Sequence, residues 1–346
     1  MSTARTDPRP IIGISMGDPA GIGPEIIARA LVRPEVTKLC RPIVIGDAGA
    51  IRRATNYAAV EAEVRAVDAV ALAKFAPGTI EVYDLHNIDP AAAPLGKVTA
   101  AAGRAAFEAV RTMIDLALRK QIAATVTAPI HKEALALAGH KFPGHTEIFA
   151  HFTGTADFTM MLAAGELRVV HVSTHVSLRQ ACDAVSRDRV LAVIKLGHAA
   201  CRKLGIADPR VGVAGLNPHA SDGGLFGDEE RLHIAPAVAD ARAIGIAAEG
   251  PEPPDTFFAK ASGGAYDVCV AMYHDQGHIP VKVAGFRYDG KGRKWLSVNG
   301  INISLGLPII RTSVDHGTAF DQAGQGTASD ASLVDAIEYA AKLAVD

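Results

Sequence analysis

Short apolar runs closed by Gly, Pro or Asp alternate along the chain with longer stretches in which apolar residues recur every three or four positions. That alternation builds βα units around a largely parallel sheet. Residues 10–16 (PIIGISM) form the first strand-like run and stop at the turn signal Gly17-Asp18-Pro19. Gly23-Pro24-Glu25 then opens a helix through about Val32, with Pro and an acidic residue in the first turn, where helix starts favour them. Residues 42–45 (PIVI) read as the next buried strand and residues 97–121 as one long amphipathic helix. Residues 124–126 read as a short strand that delivers Thr127-Ala128-Pro129 to a loop.

The middle of the chain has a different texture. Residues 158–163 and 167–173 flank Ala164-Gly165-Glu166 as a hairpin. Strands at 211–216 and 268–272 run into the loops Asn217-Pro218-His219 and Tyr273-His274-Asp275, and helices near 187–204 and 228–244 cover the sheet. A last helix, 332–345, is expected to pack back on the first domain. These breaks predict a discontinuous first α/β domain, 1–135 with 312–346, and an inserted second one, 136–311. Residues 287–298 (RYDGKGRKWLSV), charged, Gly-rich and holding the only Trp, read as an exposed excursion between core elements.

Length and composition agree with this picture. A chain of 346 residues exceeds one simple core and suits two domains. A net charge of −2 with both signs interspersed lacks the one-sided basic footprint of a nucleic-acid binder. No apolar run reaches the roughly 18–20 residues of a membrane helix, and residues 1–10 hold no apolar segment of a secretory leader. Cys40, Cys182, Cys201 and Cys269 have no CxxC spacing and read as small buried apolar residues in a reducing compartment. A cytoplasmic enzyme, with no membrane or nucleic-acid partner, is the resulting expectation.

Candidate chemistry lies at the strand ends. His151, His198 and His233 fall in helical patterns and read as bystanders, whereas His175, His219 and His274 each follow a strand-like run. Ligands in α/β sheets sit beyond such ends. The gaps of 44 and 55 residues match no compact zinc motif, so shared position carries the reading that three imidazoles hold a catalytic divalent metal. His145, Thr146 and Glu147 start a helix-like segment whose free backbone N–H groups attract anions; an ordinary helix start is the alternative. Lys282 and Arg311, after apolar stretches, suit phosphate or carboxylate recognition or simply the surface, and Asn302 could add a neutral hydrogen bond. Asp255, after two prolines, reads first as a helix N-cap. The segment 17–23 is Gly-rich but lacks the dinucleotide GxGxxG order. The loop from Asp315 through Asp321 to Gly324 and Gly326 is small enough for close approach to a ligand.

Over nearly its whole length the chain resembles the 4-hydroxythreonine-4-phosphate dehydrogenase family of vitamin B6 synthesis. The matching runs are MGDPAGIGPE (16–25), TAP (127–129), PGHTE (143–147), NPH (217–219), MYHDQG (272–277), NISLGLP (302–308) and RTSVDHGTAFD (311–321). The resemblance implies the two-domain α/β fold of isocitrate and isopropylmalate dehydrogenases, helices on mostly parallel sheets, in a homodimer with shared sites. It implies a divalent metal (Zn, Co, Mn or Mg) on His175, His219 and His274 drawn from both subunits. It also implies substrate contacts from His145, Thr146, Lys282, Asn302 and Arg311. The segment 315–326 resembles the dinucleotide loop of isopropylmalate dehydrogenases, which carries NAD, or NADP, onto Asp315, His316, Gly317, Thr318, Ala319 and Asp321.

The implied reaction oxidises the C3 hydroxyl of a small phosphorylated acid and then releases CO2. The metal lowers the hydroxyl pKa and stabilises the developing enolate, and Asp255, Asp275 and Lys282 are the candidate bases. Residues 75–84, 138–147 and 224–230, with the excursion at 287–298, look more like the paralogous branch acting on 4-phospho-threonate or 4-phospho-erythronate. A third branch, which oxidises a terephthalate-derived dihydrodiol, is not expected to keep the phosphate contacts, and His145, Thr146 and Arg311 are present. A catalytically silent phosphometabolite-binding paralogue would need a broken metal triad or cofactor loop, and the sequence shows neither break.

Overall fold

A computed structural model describes residues 7–298 and 300–345, by backbone alone over 294–298. The first six residues of the polar N-terminal stretch and the Trp295 side chain lie outside the described residues. In chain order the elements begin with β1 (Ile11–Ser15), α1 (Gly23–Leu31), α2 (Pro34–Leu39), β2 (Arg41–Gly46), α3 (Ala48–Tyr57), β3 (Glu63–Val67) and β4 (Thr79–Asp84). They continue with α4 (Ala100–Leu118), β5 (Ala124–Thr127), α5 (Lys132–Leu137), α6 (His145–Thr153), β6 (Thr159–Ala164), β7 (Leu167–His171), α7 (Leu178–Asp183) and α8 (Arg187–Lys203). Next come β8 (Val211–Ala214), α9 (Ala235–Ala243), β9 (Ala248–Glu252), α10 (Pro254–Ser262), β10 (Val268–Ala271) and α11 (His274–Gly285). The chain ends with β11 (Phe286–Asp289), β12 (Lys294–Val298), β13 (Ile301–Leu305), β14 (Arg311–Val314) and α12 (Ala331–Leu343).

Two compact units result: one runs to Gly154 and resumes at Leu307, the other spans Thr155–Gly306. The first unit therefore extends past the boundary at 135/136 that the sequence suggests. Its core explains why: Ile148 and Phe149 of α6 are buried with Ile43, Ile45, Met113 and Leu135 of the same unit. His145, Thr146 and Arg311 accordingly belong to the first unit, not to the inserted one.

In the first unit the strand order is β3-β4-β2-β1-β5-β14, every neighbour parallel. The central runs are buried along their length, as strands covered on both faces must be. Helix α4 packs on β1, β2 and β5 through a stripe that includes Ala102, Ala106, Val110, Met113 and Ala117. It starts at Ala100, three residues later than its pattern begins, because the Thr99 side chain accepts the Ala102 N–H and caps it. As expected, α12 packs on β14 and β5.

In the second unit the order is β13-β6-β7-β10-β8-β9, antiparallel across β13, β6 and β7 and parallel from β7 onward. The expected hairpin is β6–β7, with Gly165 at φ +56° in its turn. The excursion at 287–298 is a two-stranded antiparallel ribbon, β11–β12. The helix expected at 228–244 opens as a π-helical turn at Glu230–Ile234, and Pro236 then starts α9. All four cysteines are free, three of them buried. Among the described residues no helix is long and apolar enough to cross a membrane.

Close packing at one glycine supplies a test of the first unit. A Cβ at Gly103 of α4 would overlap the Ala134 carbonyl of α5, and backbone cannot move aside as a side chain can. In an open helix Gly→Ala gains about 1 kcal/mol. Here Gly103→Ala should instead lose about 1–3 kcal/mol, read as a lowered denaturant midpoint; a raised midpoint would contradict the contact.

Candidate functional site

In the second unit the loops after β7, β8 and β10 carry His175, His219 and His274, and parallel pairing of these strands sends all three loops to one sheet edge. One buried amide ties two of them. Gln276 accepts the Met272 N–H at 2.6 Å and donates to the Gly215 carbonyl at 2.7 Å, joining the ends of β10 and β8. The Ser173 hydroxyl donates to the Met272 carbonyl at 3.0 Å and brings in the loop after β7.

His274 is the first residue of α11 rather than a loop residue, so its ring is held by helix geometry. Its Nδ1 lies 2.6 Å from the Asp275 carboxylate, which can only accept, leaving Nε2 as the free electron pair. The His175 ring centroid is 5.8 Å away. Two imidazoles bound to one ion at about 2.1 Å per nitrogen have centroids within about 6.5 Å, so this pair fits a shared divalent cation. Both line a cavity of about 330 Å³ with Thr174, Leu178, Tyr273 and Asp275. His219 is absent from that lining, and among the described residues no three His, Cys, Asp or Glu side chains are arranged to hold an ion.

His219 begins a run of left-handed residues, with φ of +55° at His219, +53° at Ala220, +72° at Ser221 and +45° at Asp222. Such backbone persists only where its surroundings enforce it. The buried Glu230 does so, accepting the Leu216 and Asn217 N–H groups at 2.7 Å each, while the Asn217 amide donates to Glu229 and Glu230. The Asp255 carboxylate lies 3.9 Å from His219 Nδ1. Asp255 is not the N-cap that its sequence context suggests. Pro253 holds that position, Pro254 with its preset φ takes the first helical place, and Asp255 is left in the first turn with its side chain exposed. Lys282 lies within α11, not beyond a strand, with its ammonium 4.5 Å from the Phe286 ring centre. Asn302 of β13 donates to the Met160 sulfur, and its Oδ1 has no partner among the described residues.

The first unit brings Arg311, His145 and Thr146 together. The run 307–310 is not a strand; β14 begins at Arg311, paired in register with Thr125. That shift puts the Arg311 guanidinium inside the protein, 3% exposed, donating to the Thr127 hydroxyl at 2.8 Å and to the Thr146 hydroxyl at 3.3 Å. Burial pulls its pKa down to about 9, against the opposing charge of Glu147. His145 and Thr146 are the first two residues of α6, whose start no side chain caps. Burial, then the Arg311 charge, hold His145 well below the usual imidazole range, and its Nε2 has no partner among the described residues. A neutral imidazole, two hydroxyls, a helix start and a buried cation are thus gathered in one unit.

Nearby in the same unit, the loop after β14 packs on the loop after β1. The Thr318 carbonyl accepts the Ile22 N–H at 3.0 Å, and a Cβ on Gly21 would crowd Thr318, so the glycines of 17–23 serve close loop packing. Phe320 stacks on His131 with centroids 4.8 Å apart. Ala319 has φ +41°, and the His316 Nδ1–H donates to the Gly317 carbonyl at 3.0 Å. Gly317 is exposed with open space around its α-carbon, Asp315 is half-buried and Asp321 exposed. The sequence did not single out Asp18. It is fully buried, its Oδ1 accepts the Ala20 N–H at 2.9 Å, and its Oδ2 has no partner among the described residues.

The features that define the class of the protein are two α/β units, one with a buried arginine beside a helix start and one with histidines after its strand ends. The family described as pyridoxal phosphate biosynthetic protein PdxA matches residues 38–340. The chain is 48% identical over 340 residues to D-threonate 4-phosphate dehydrogenase of Cupriavidus necator, covering 98% of each. It is similar to the crystal structure of 4-hydroxythreonine-4-phosphate dehydrogenase from Klebsiella pneumoniae, with TM-score 0.82, 46% identity and coverage of 97% and 100%. Terephthalate 1,2-cis-dihydrodiol dehydrogenase from Burkholderia xenovorans LB400 gives TM-score 0.67, 31% identity and coverage of 96% and 98%. The chain belongs to the PdxA family and is an enzyme of its dehydrogenase type.

Asp18 yields a pH prediction. Burial raises its pKa from 3.8 to about 6. The folded state therefore holds this proton more tightly than the unfolded one, and the stability it contributes is full below about pH 3.8 and lost as pH rises through 6. Asp18→Asn keeps the acceptor for Ala20 and removes the charge. It should stabilise the protein above pH 7 by on the order of 3 kcal/mol and have little effect near pH 4. Equal shifts in melting temperature at pH 4 and pH 8 would contradict the burial of an unpaired carboxylate.

Proposed function

We propose that this protein is an NAD- and divalent-metal-dependent dehydrogenase that oxidises C3 of a four-carbon 4-phosphorylated hydroxy acid and releases its carboxyl group as CO2. The substrate class is 4-phospho-threonate or 4-phospho-erythronate, with 4-hydroxythreonine 4-phosphate as the close relative. The observation that carries this reading is the buried Arg311, held by Thr127 and Thr146 beside the start of α6. A buried guanidinium with two hydroxyls and a helix start beside it suits the terminal phosphate of a small substrate, in addition to the Glu147 charge that already acts on it. An unphosphorylated dihydrodiol would leave that seat without purpose.

The histidines at the strand ends of the second unit suit a divalent ion. His175 and His274 would hold it with His219, completed from a second subunit. Such an ion supplies Lewis acidity to a hydroxyl or carbonyl oxygen. Asp275 is engaged at the His274 Nδ1, so Asp255, exposed beside His219, is the carboxylate left to take the C3 hydroxyl proton. Lys282 and Asn302 supply donors for the substrate's oxygens. Asp315, His316, Gly317, Thr318, Ala319 and Asp321 would hold NAD, which would supply the hydride acceptor for oxidation at C3. The β-keto acid left behind loses its C1–C2 bond to give CO2 and a three-carbon phosphorylated ketone. Ile279 and Val283, 59% and 77% exposed on α11, suit burial by the partner in a homodimer.

NADH formation measured in parallel with the three phosphorylated acids and their unphosphorylated counterparts tests the reading. One phosphorylated acid should turn over, and equal rates on its unphosphorylated form would overturn the phosphate seat. Arg311→Ala should weaken substrate binding by about 2–5 kcal/mol. His219→Ala should abolish turnover with an unchanged circular dichroism spectrum; near-normal NADH production by that variant would remove His219 from the metal site.

A further inference from the structure

Three imidazoles of the second unit form a stack that runs inward from the cavity. His274 and His278, one turn apart on α11, lie face to face with ring centroids 3.6 Å apart and planes 12° apart. His278 is itself anchored, because its Nδ1 lies 2.9 Å from the His274 carbonyl, which can only accept. Behind it lies His171, its ring tilted 50° from that of His278 at 4.7 Å, fully buried, with Nδ1 donating to the Met160 carbonyl at 3.2 Å. A Cβ at position 277 would overlap the His171 ring, so Gly277 lets α11 settle onto it. Only the outermost ring, His274, reaches the cavity.

We propose that His278 is a positioning residue that fixes the orientation of the His274 imidazole for metal ligation. The inference rests on the reading of His274 as a ligand. Asp275 meets that ring at Nδ1, His278 lies across its face and the His175 ring lies 5.8 Å away. Asp275 is 70% exposed, and a carboxylate in water exchanges partners freely. His278 is buried and braced by His171, so it is the group able to stop rotation of the His274 ring. Partners that orient a ligating imidazole typically contribute about 10–100-fold to metal affinity.

The test is the cobalt(II) dissociation constant of the full-length metal-free protein, measured by competition with a chromophoric chelator. His278→Leu fills the same space without a ring face or a donor. It should weaken cobalt binding about 10–100-fold, and His278→Phe, which restores a flat ring, should recover part of the loss. His274→Ala separates the two ideas. If it leaves cobalt affinity unchanged, the ligand reading fails; if it weakens binding while folded His278→Leu binds as the wild type does, the positioning role fails. Should His278→Leu not fold, long-range 1H–15N NMR of the metal-free wild type decides: both His274 and His278 are expected as Nδ1–H tautomers, and Nε2–H at either overturns the proposal.

Discussion

Parallel pairing puts the carboxyl ends of neighbouring strands on one sheet edge, and the second unit depends on that constraint. Without it, residues 175, 219 and 274 have no reason to share a neighbourhood. With it, the side chain of Gln276 suffices to tie the end of β10 to the end of β8, and Ser173 to tie in the loop after β7. Each bond is worth about 1 kcal/mol net, but losing one leaves a buried backbone group unsatisfied at a larger cost. The left-handed run at His219 fits the same logic, since strained backbone survives where Glu230 holds both ends of its approach.

The first unit carries its chemistry as buried polarity. Arg311, His145 and Asp18 are each enclosed beyond what a stable fold requires, and each is shifted toward its neutral form by that burial. They lie at the start of β14, the start of α6 and the turn after β1, respectively.

Much of this was legible in the residue pattern. Strand runs such as IIGIS and ATVT and the α4 stripe announced themselves by period, and the hairpin at Gly165 by its turn chemistry. The strand-end histidines were visible for the same reason. Tertiary decisions were not. The boundary missed α6 because nothing local says which core Ile148 and Phe149 enter, and Arg311 looked like the end of a run because register alone starts β14 there. Asp255 lost its expected cap to the geometry of two prolines. Gln276, Glu230, Asp18 and His278 gave no signal, since their roles depend on partners 61, 14, 2 and 4 residues away, respectively, whose bonds form only on folding.

The proposed reaction couples oxidation at C3 to loss of the carboxyl group of a phosphorylated acid. Simultaneous measurement of NADH and of CO2 released from carboxyl-labelled 4-phospho-threonate tests it most directly. Equal amounts of the two, dependent on added divalent metal, are predicted. NADH without matching CO2 would contradict the decarboxylation, and neither product from any of the phosphorylated acids would contradict the account as a whole.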